Sequence, residues 1–447
     1  MKKMSKNEVS QISAEQVHDI IGSVMLADGF NLVVDLEKSE GQMLYDAKNK
    51  KAYLDFFSYF ASNAVGHSHP KIANSDFIEE MGKIAIHNPS NSDLYTVEMA
   101  KFVATFQRVA MPEGMNHLFL VAGGGLAVEN ALKTAMDWKV RKNLAAGKGV
   151  IGTKVLHLEK AFHGRTGYTL SLTNTADPRK YMYFAMFDWP RVKSPAAIFP
   201  LEGRNLEETI AREKETIDQI EKVLLADADD ICCFILEPIQ GEGGDNHFRP
   251  EFLRAVRKLC DDYDIMLVFD EVQTGMGLTG KMWAWQHSNV QPDICCFGKK
   301  SQVCGIIVGP RVDEVENNVF HESSRINSTW GGNLADMLRC RKYLEIIEED
   351  NLVENAANMG DLLLSGLREI EKNFASVSNS RGLGLMCAFD LPDADFRGKF
   401  LVNCRDKGMI VLPCGTVSVR FRPSLNVEAG HIERAMAIIE QVLTEMK

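Results

Sequence analysis

Through the middle of the chain, short apolar runs alternate with longer stretches of helical period. HLFLVA (117–122) leads into LAVENALKTAMDWKV, where apolar positions recur with the spacing of one helix face. KVLHLE and YTLSLT follow as strand-like runs, then ICCFILEP (231–238), the helical EFLRAVRKLCDDY, IMLVFDE (265–271), DICCFG and CGIIVG. Runs this apolar leave no face for water, so they predict strands covered on both sides. The helices between them predict a mostly parallel sheet in an α/β layer. Such sheets bind ligands at the carboxyl ends of their strands, which places the expected chemistry just after the apolar runs.

From about residue 333 the pattern changes to long amphipathic helices, LADMLRCRKYLEIIEED and ENAANMGDLLLSGLREIEKNF, followed by the strand-like LMCAFD, MIVLP and SVRFRP and a terminal helix. A chain of 447 residues is long for one core, yet no low-complexity linker or internal repeat divides it. The expected organisation is a large α/β domain over 61–332 and a smaller α+β domain over 333–447. A segment over 1–60, with the strand-like LVVDLEKSEGQMLYDA, is expected to pack on the smaller one, because alone it buries too little.

Composition narrows the function. Hydrophobic residues at 45% and charged residues at 25% suit a soluble globular protein, and only the polar start MKKMSKNEVS is expected to lack order. The net charge of −11, with no lysine- or arginine-rich block, argues against nucleic acid or an anionic membrane as partner. No apolar run has the length of a membrane span and no signal core follows the first lysines, so a cytoplasmic location is expected. Ten cysteines, several inside apolar runs, read as reduced core residues, and no CxxC pair suggests a zinc ribbon.

Candidate chemistry lies where the strands end. FGKKS (297–301) lacks the first glycine of a phosphate-binding P-loop, because position 293 is Asp, and Lys300 stands where a hydroxyl belongs. GGGLAV (123–128) fails the dinucleotide fingerprint at Val128. It remains a glycine turn between strand and helix that suits a phosphate, and it reads equally well as a plain tight turn. Asp270 ends an apolar strand, where an unpaired carboxylate is costly, so a cation or donor is expected beside it; a surface acid in a turn is the alternative. A phosphate turn, an acid and a lysine beyond the next strand, in this order, match what pyridoxal phosphate needs: anchored phosphate oxygens, an acid on the pyridinium nitrogen and a Schiff-base lysine.

From about residue 30 onward the chain resembles the class III, fold-type I, pyridoxal-phosphate aminotransferases. The resemblance is carried by FFSYFASNAVGHSHPKI, GGGLAVENALK, AFHGRTGYTLSLTN, ILEPIQGEGGD, FDEVQTGMGLTG, PDICCFGKKSQVCG, NSTWGGN and VRFRPSL. It implies a large domain with a mostly parallel sheet flanked by helices plus a smaller α+β domain. Within the family the blocks are most similar to members that move the ε-amino group of L-lysine to 2-oxoglutarate, giving 2-aminoadipate 6-semialdehyde and glutamate. Another ω-aminotransferase, acting on ornithine or 4-aminobutyrate, is the nearest alternative, and a pyridoxal-phosphate protein without transferase activity is a more distant one.

The same resemblance implies roles for single residues. Lys299, directly after the strand-ending glycine, carries the cofactor and shuttles protons, while Lys300 points elsewhere as a supporting cation or solvated neighbour. Asp270 is the pyridinium partner, Gln273 lies near the cofactor's 3-oxygen, Phe162 stacks on the ring and His163 is its neighbour. Gly124 and Gly125 form the phosphate cup, where many members carry a hydroxyl residue in place of Gly125. Thr329 reaches the phosphate of a neighbouring subunit, which implies a homodimer with shared sites. Glu242 and Arg420 form a pair that opens and closes between half-reactions. Arg165 holds the substrate's distal carboxylate, and Asn327 supplies a polar contact.

Overall fold

A computed structural model describes residues 4–446. Its largest sheet has seven strands in the spatial order His117–Val121, Cys304–Val308, Ile294–Phe297, Met266–Asp270, Ile231–Leu236, Lys154–Leu158 and Arg191–Val192. All run parallel except Cys304–Val308, which is antiparallel to both neighbours. The exception follows from the connection: Gly298–Val303 is too short for a parallel crossover and folds as a hairpin.

Successive residues of the central strands enter two different cores. Cys233, Ile235, Val268 and Cys296 pack against Val128, Leu132, Ala135 and Trp138 of the Gly124–Ala145 helix. Phe234, Leu236, Leu267, Phe269, Cys295 and Phe297 face the opposite layer, with Phe102, Phe106, Phe252 and Val256. This two-sided burial is the reason the strand sequences show no polar alternation.

The third core gathers the Leu352–Asn373 and Ala429–Glu445 helices around an antiparallel sheet ordered Ser378–Leu383, Met386–Asp390, Ser418–Phe421 and Leu412–Cys414. Met409–Ile410 adds in parallel to Lys51–Asp55, which pairs antiparallel with Met43–Asp46. Leu54 and Phe56 thereby join the same apolar cluster as Phe389 and Phe421.

Three local expectations need correction. YTLSLT is not a strand: Gly167–Leu172 is a helical segment. Its β-prone residues are overridden at the N-terminus, where Glu129 Oε1 accepts from Thr166 Oγ1 at 2.6 Å and from the N–H of Tyr168 and Thr169 at 2.7 and 3.3 Å. The strand Ser378–Leu383 has too few apolar residues to stand out in the sequence. The polar start is ordered at Lys6–Val9, a helical turn closed by a reciprocal Ser5–Glu8 capping box; residues 1–3 lie outside the described ones.

Candidate active site

A cavity of about 280 Å³ opens at the carboxyl ends of the parallel strands. Gly124 and Gly125 enter it after the His117–Val121 strand, Phe162 to Gly164 after Lys154–Leu158, and Glu237 and Glu242 after Ile231–Leu236. Asp270, Val272 and Gln273 follow Met266–Asp270, and Lys299 follows Ile294–Phe297.

One corner is bare backbone. Gly124–Ala145 starts with no side-chain cap and no acid in its first turn, so its leading N–H groups and dipole are available to an anion. Gly164 closes the corner at φ 133°, and a Cβ there would lie 2.7 Å from Thr169 Oγ1 and 2.9 Å from Gly125 Cα. At Gly125, by contrast, a Cβ would meet Thr166 at an ordinary 3.5 Å, so nothing steric forbids a hydroxyl residue there.

Opposite lies the acid. Asp270 Oδ1 accepts from Val272 N at 3.0 Å and Oδ2 from His163 Nδ1 at 2.8 Å. Since the carboxylate only accepts, Nδ1 carries the proton, and the buried Nε2 of His163 has no partner among the described residues. Gln273 Oε1 is taken by Arg422, at 3.3 Å from Nε and 3.2 Å from Nη2, which leaves the Gln273 amide N–H groups for another acceptor.

The adjacent lysines have separate fates. Lys299 sits at φ 54°, a strained conformation for a residue with a side chain, and its Nζ makes no hydrogen bond or ion pair among the described residues. Burial holds its amine below the ordinary lysine range; Arg420 adds to the shift, while Asp270 and Glu237 oppose it. A lowered pKa leaves more of the amine neutral and nucleophilic. Lys300 turns away and is buried, which corrects the expectation of a solvated neighbour. Its Nζ donates to Gln273 O at 2.9 Å and Ala61 O at 3.3 Å. Ala61 closes the turn Ser58–Ala61, whose four residues all have positive φ, 39° to 64°, and which sets the Phe60 ring 5.9 Å from the Arg420 guanidinium.

The charged wall centres on Glu242. Its Oε2 lies 2.9 Å from Arg420 Nη2, and its Oε1 is paired with Lys180. Arg420 and Arg422 stand two residues apart and so point to one side of the chain, where Arg422 Nη2 pairs with Asp245 at 2.5 Å.

Three members of this wall, Arg422 among them, escape the sequence reading. Lys180 carries no motif signal. Glu237 accepts from Phe162 N and Gly241 N, both at 3.0 Å, and thereby joins the two loops that flank the cavity. Burial pushes its carboxyl up to about 7, with Asp270 adding to the effect and His163 opposing it. The signal that marks Asp270, an acid closing a fully apolar strand, also applies to Glu237.

Four expected residues do not line the cavity within one chain: Arg420, buried and paired with Glu242, and three exposed ones. Arg165 is exposed, one residue beyond Gly164, and makes no ion pair among the described residues. Asn327 is exposed and accepts from Ser328 N through its Oδ1. Thr329 is exposed and accepts from Ser90 Oγ through its carbonyl at 2.6 Å.

The cavity residues fit pyridoxal phosphate: an unpaired lysine amine, a buried carboxylate held by a histidine, and a glycine corner that a single Cβ would fill.

Comparison with known proteins agrees. Residues 25–443 match the family described as aminotransferase class-III. The chain is 49% identical over 432 residues to the L-lysine-epsilon aminotransferase of Mycobacterium tuberculosis, covering 96% of this chain and 95% of that one. It is 46% identical over 444 residues to the L-lysine-epsilon aminotransferase of Streptomyces clavuligerus, covering 98% and 96%. The solved lysine aminotransferase from M. tuberculosis in the internal aldimine form superposes with a TM-score of 0.95 at 48% identity, covering 98% of this chain and all of that one.

Proposed function

Because the chain belongs to the class III aminotransferase family, we propose that it transfers the ε-amino group of L-lysine to 2-oxoglutarate, giving 2-aminoadipate 6-semialdehyde and L-glutamate. Pyridoxal phosphate is its cofactor; when bound, it supplies an electrophilic aldehyde and an electron sink for the carbon that loses its proton. Lys299 would hold the aldehyde carbon, and the N–H groups at Gly124 and Gly125 the phosphate. Asp270 would hold the proton on the ring nitrogen, kept in place by the hydrogen bond from His163 Nδ1. Lys299 Nζ would also be the group to take the proton from the ε-carbon of lysine, and its lowered pKa leaves more of the amine unprotonated for that role.

The observation that carries the two-substrate reading is the Arg420–Glu242 pair. Arg420 is buried, and its guanidinium is covered by a carboxylate that is itself partly exposed. With the pair closed, no free cation meets the incoming ε-amine from this wall. With the pair open, Arg420 grips the α-carboxylate of the oxoacid through a charge-assisted contact. Arg165, exposed, next to the cavity-lining Gly164 and without an ion pair among the described residues, is the residue to clamp the α-carboxylate of lysine and so direct the ε-amine inward.

A homodimer completes the proposal. Thr329 lies beside Trp330, and the Ser90–Ser92 segment that bonds this stretch leads to Leu94 and Tyr95; all three large side chains are exposed. Such an apolar patch marks a contact surface and would bring Thr329 to a neighbour's phosphate. We place the enzyme in the cytoplasm, where its ten unpaired cysteines remain reduced.

Lysine labelled with nitrogen-15 at the ε-position tests the reaction. Label in glutamate, and a cyclised product trapped by o-aminobenzaldehyde, are expected. Unlabelled glutamate would show transfer of the α-amine and overturn the reading. Faster turnover with ornithine or 4-aminobutyrate would instead reassign the donor.

A further inference from the structure

We propose that Lys180 is the second cation of the Glu242 gate, a positioning residue that retains Glu242 when Arg420 leaves it to bind the carboxylate of a 2-oxo dicarboxylic acid. The inference rests on the two-substrate reading above and adds the partner that makes opening possible.

The local sequence explains how a surface loop delivers this amine. Pro178–Lys180 is a short turn capped by Asp177, whose Oδ1 accepts from Arg179 N at 3.2 Å. Arg179 folds back on Asp177 and stays 80% exposed, whereas the Lys180 side chain is only 16% exposed. Adjacent basic residues are therefore split, one toward solvent and one toward the cavity wall. There Lys180 Nζ lies 5.8 Å from the centre of the Phe162 ring.

The two cations address different oxygens of one carboxylate. Arg420 Nη2 holds Oε2 of Glu242 at 2.9 Å, and Lys180 Nζ holds Oε1. Neither has to be displaced for the other to bind. Arg420 Nε, buried and without a partner among the described residues, shows that the guanidinium is not fully used in the closed pair.

When Arg420 turns to a substrate carboxylate, Glu242 would be left beside the cavity with an uncompensated charge if it had no other partner. Arg397 is also close enough to feel Glu242, but it donates to the carbonyls of Cys414 and Gly415 at 3.1 and 3.2 Å. No other cation pairs with Glu242 among the described residues. In the closed state Lys180 shares the carboxylate with Arg420, whose like charge it opposes, and in the open state it has Glu242 to itself; this difference lowers the cost of opening and, by linkage, raises the affinity for any ligand that needs Arg420 free.

The test uses the holoenzyme and glutarate, which offers two carboxylates but neither a carbonyl nor an amine to react. Binding is measured by titration calorimetry for the wild type, Lys180→Met, Lys180→Arg, Glu242→Gln and the Glu242→Gln/Lys180→Met double variant. A Lys180–Glu242 pair that is stronger by about 1 kcal/mol in the open state than in the closed one predicts that Lys180→Met weakens glutarate roughly fivefold. Lys180→Arg should recover most of this, and in the Glu242→Gln background Lys180→Met should change nothing further. Unaltered binding by Lys180→Met would overturn the proposal, as would the same loss in both backgrounds, which would mean that Lys180 touches the ligand directly. Failure of the wild type to bind glutarate would overturn the acceptor reading and this inference with it.

Discussion

Replacing Lys300 by Met removes the donor shared by a buried carbonyl, Ala61 O, and a partly buried one, Gln273 O, while keeping a side chain of similar length. Neither carbonyl has another donor among the described residues. Two orphaned carbonyls cost about 1–3 kcal/mol each. Burying a thioether where an amine had been returns about 1–2 kcal/mol. The expected net loss is therefore about 0–5 kcal/mol, centred on about 2–3 kcal/mol, at a pH near the ordinary 10.5 where the amine is largely neutral in the unfolded chain too. The loss should also depend on pH. Burial, with Lys299 and Arg422 nearby, holds the Lys300 amine well below the ordinary 10.5, so below that pH the unfolded chain binds more protons than the native one. Stability of the wild type consequently rises with pH in that window, by up to about 1.4 kcal/mol per unit, and Lys300→Met lacks this rise. The gap between the two proteins should widen as pH increases toward 10.5. Thermal melting of both holoenzymes across pH 7 to about 10 measures it, and a gap that is absent or narrows would refute the buried-donor assignment. Borohydride reduction and peptide mapping of the same variant should still label Lys299, and label at Lys300 in the wild type would reverse the roles of the pair.

Asp270→Ala should retain part of the cofactor but lose turnover by on the order of a hundredfold or more, because the proton on the ring nitrogen is no longer held; steady-state rates near those of the wild type would remove Asp270 from that role. Gly164→Ala combines a φ of 133° with a Cβ 2.7 Å from Thr169 Oγ1, so cofactor affinity should fall roughly tenfold in fluorescence titration of the apoenzyme. Unchanged affinity there would show that the glycine corner does not hold the phosphate.

Asp270 was legible in the chain because it ends a strand buried on both faces, and the pair of lysines at 299 and 300 because it follows another; a charged group placed there stands out against the apolar run before it. The parallel sheet was legible for the same reason, and it located the cavity at the strand ends. Gly167–Leu172 was not, since its helix depends on Glu129, nearly forty residues earlier, reaching the N–H groups of Tyr168 and Thr169. Nor did the chain show which of Lys299 and Lys300 faces the cavity without a resemblance to lean on. The positive φ of Lys299 and the hairpin into an antiparallel strand decide that. Lys180 and Arg422 entered the wall only through tertiary structure. Periodicity along a chain reports which side of an element is buried, because burial repeats with the backbone. It carries nothing about which distant loop meets it, because that distance is set by packing and not by spacing in sequence.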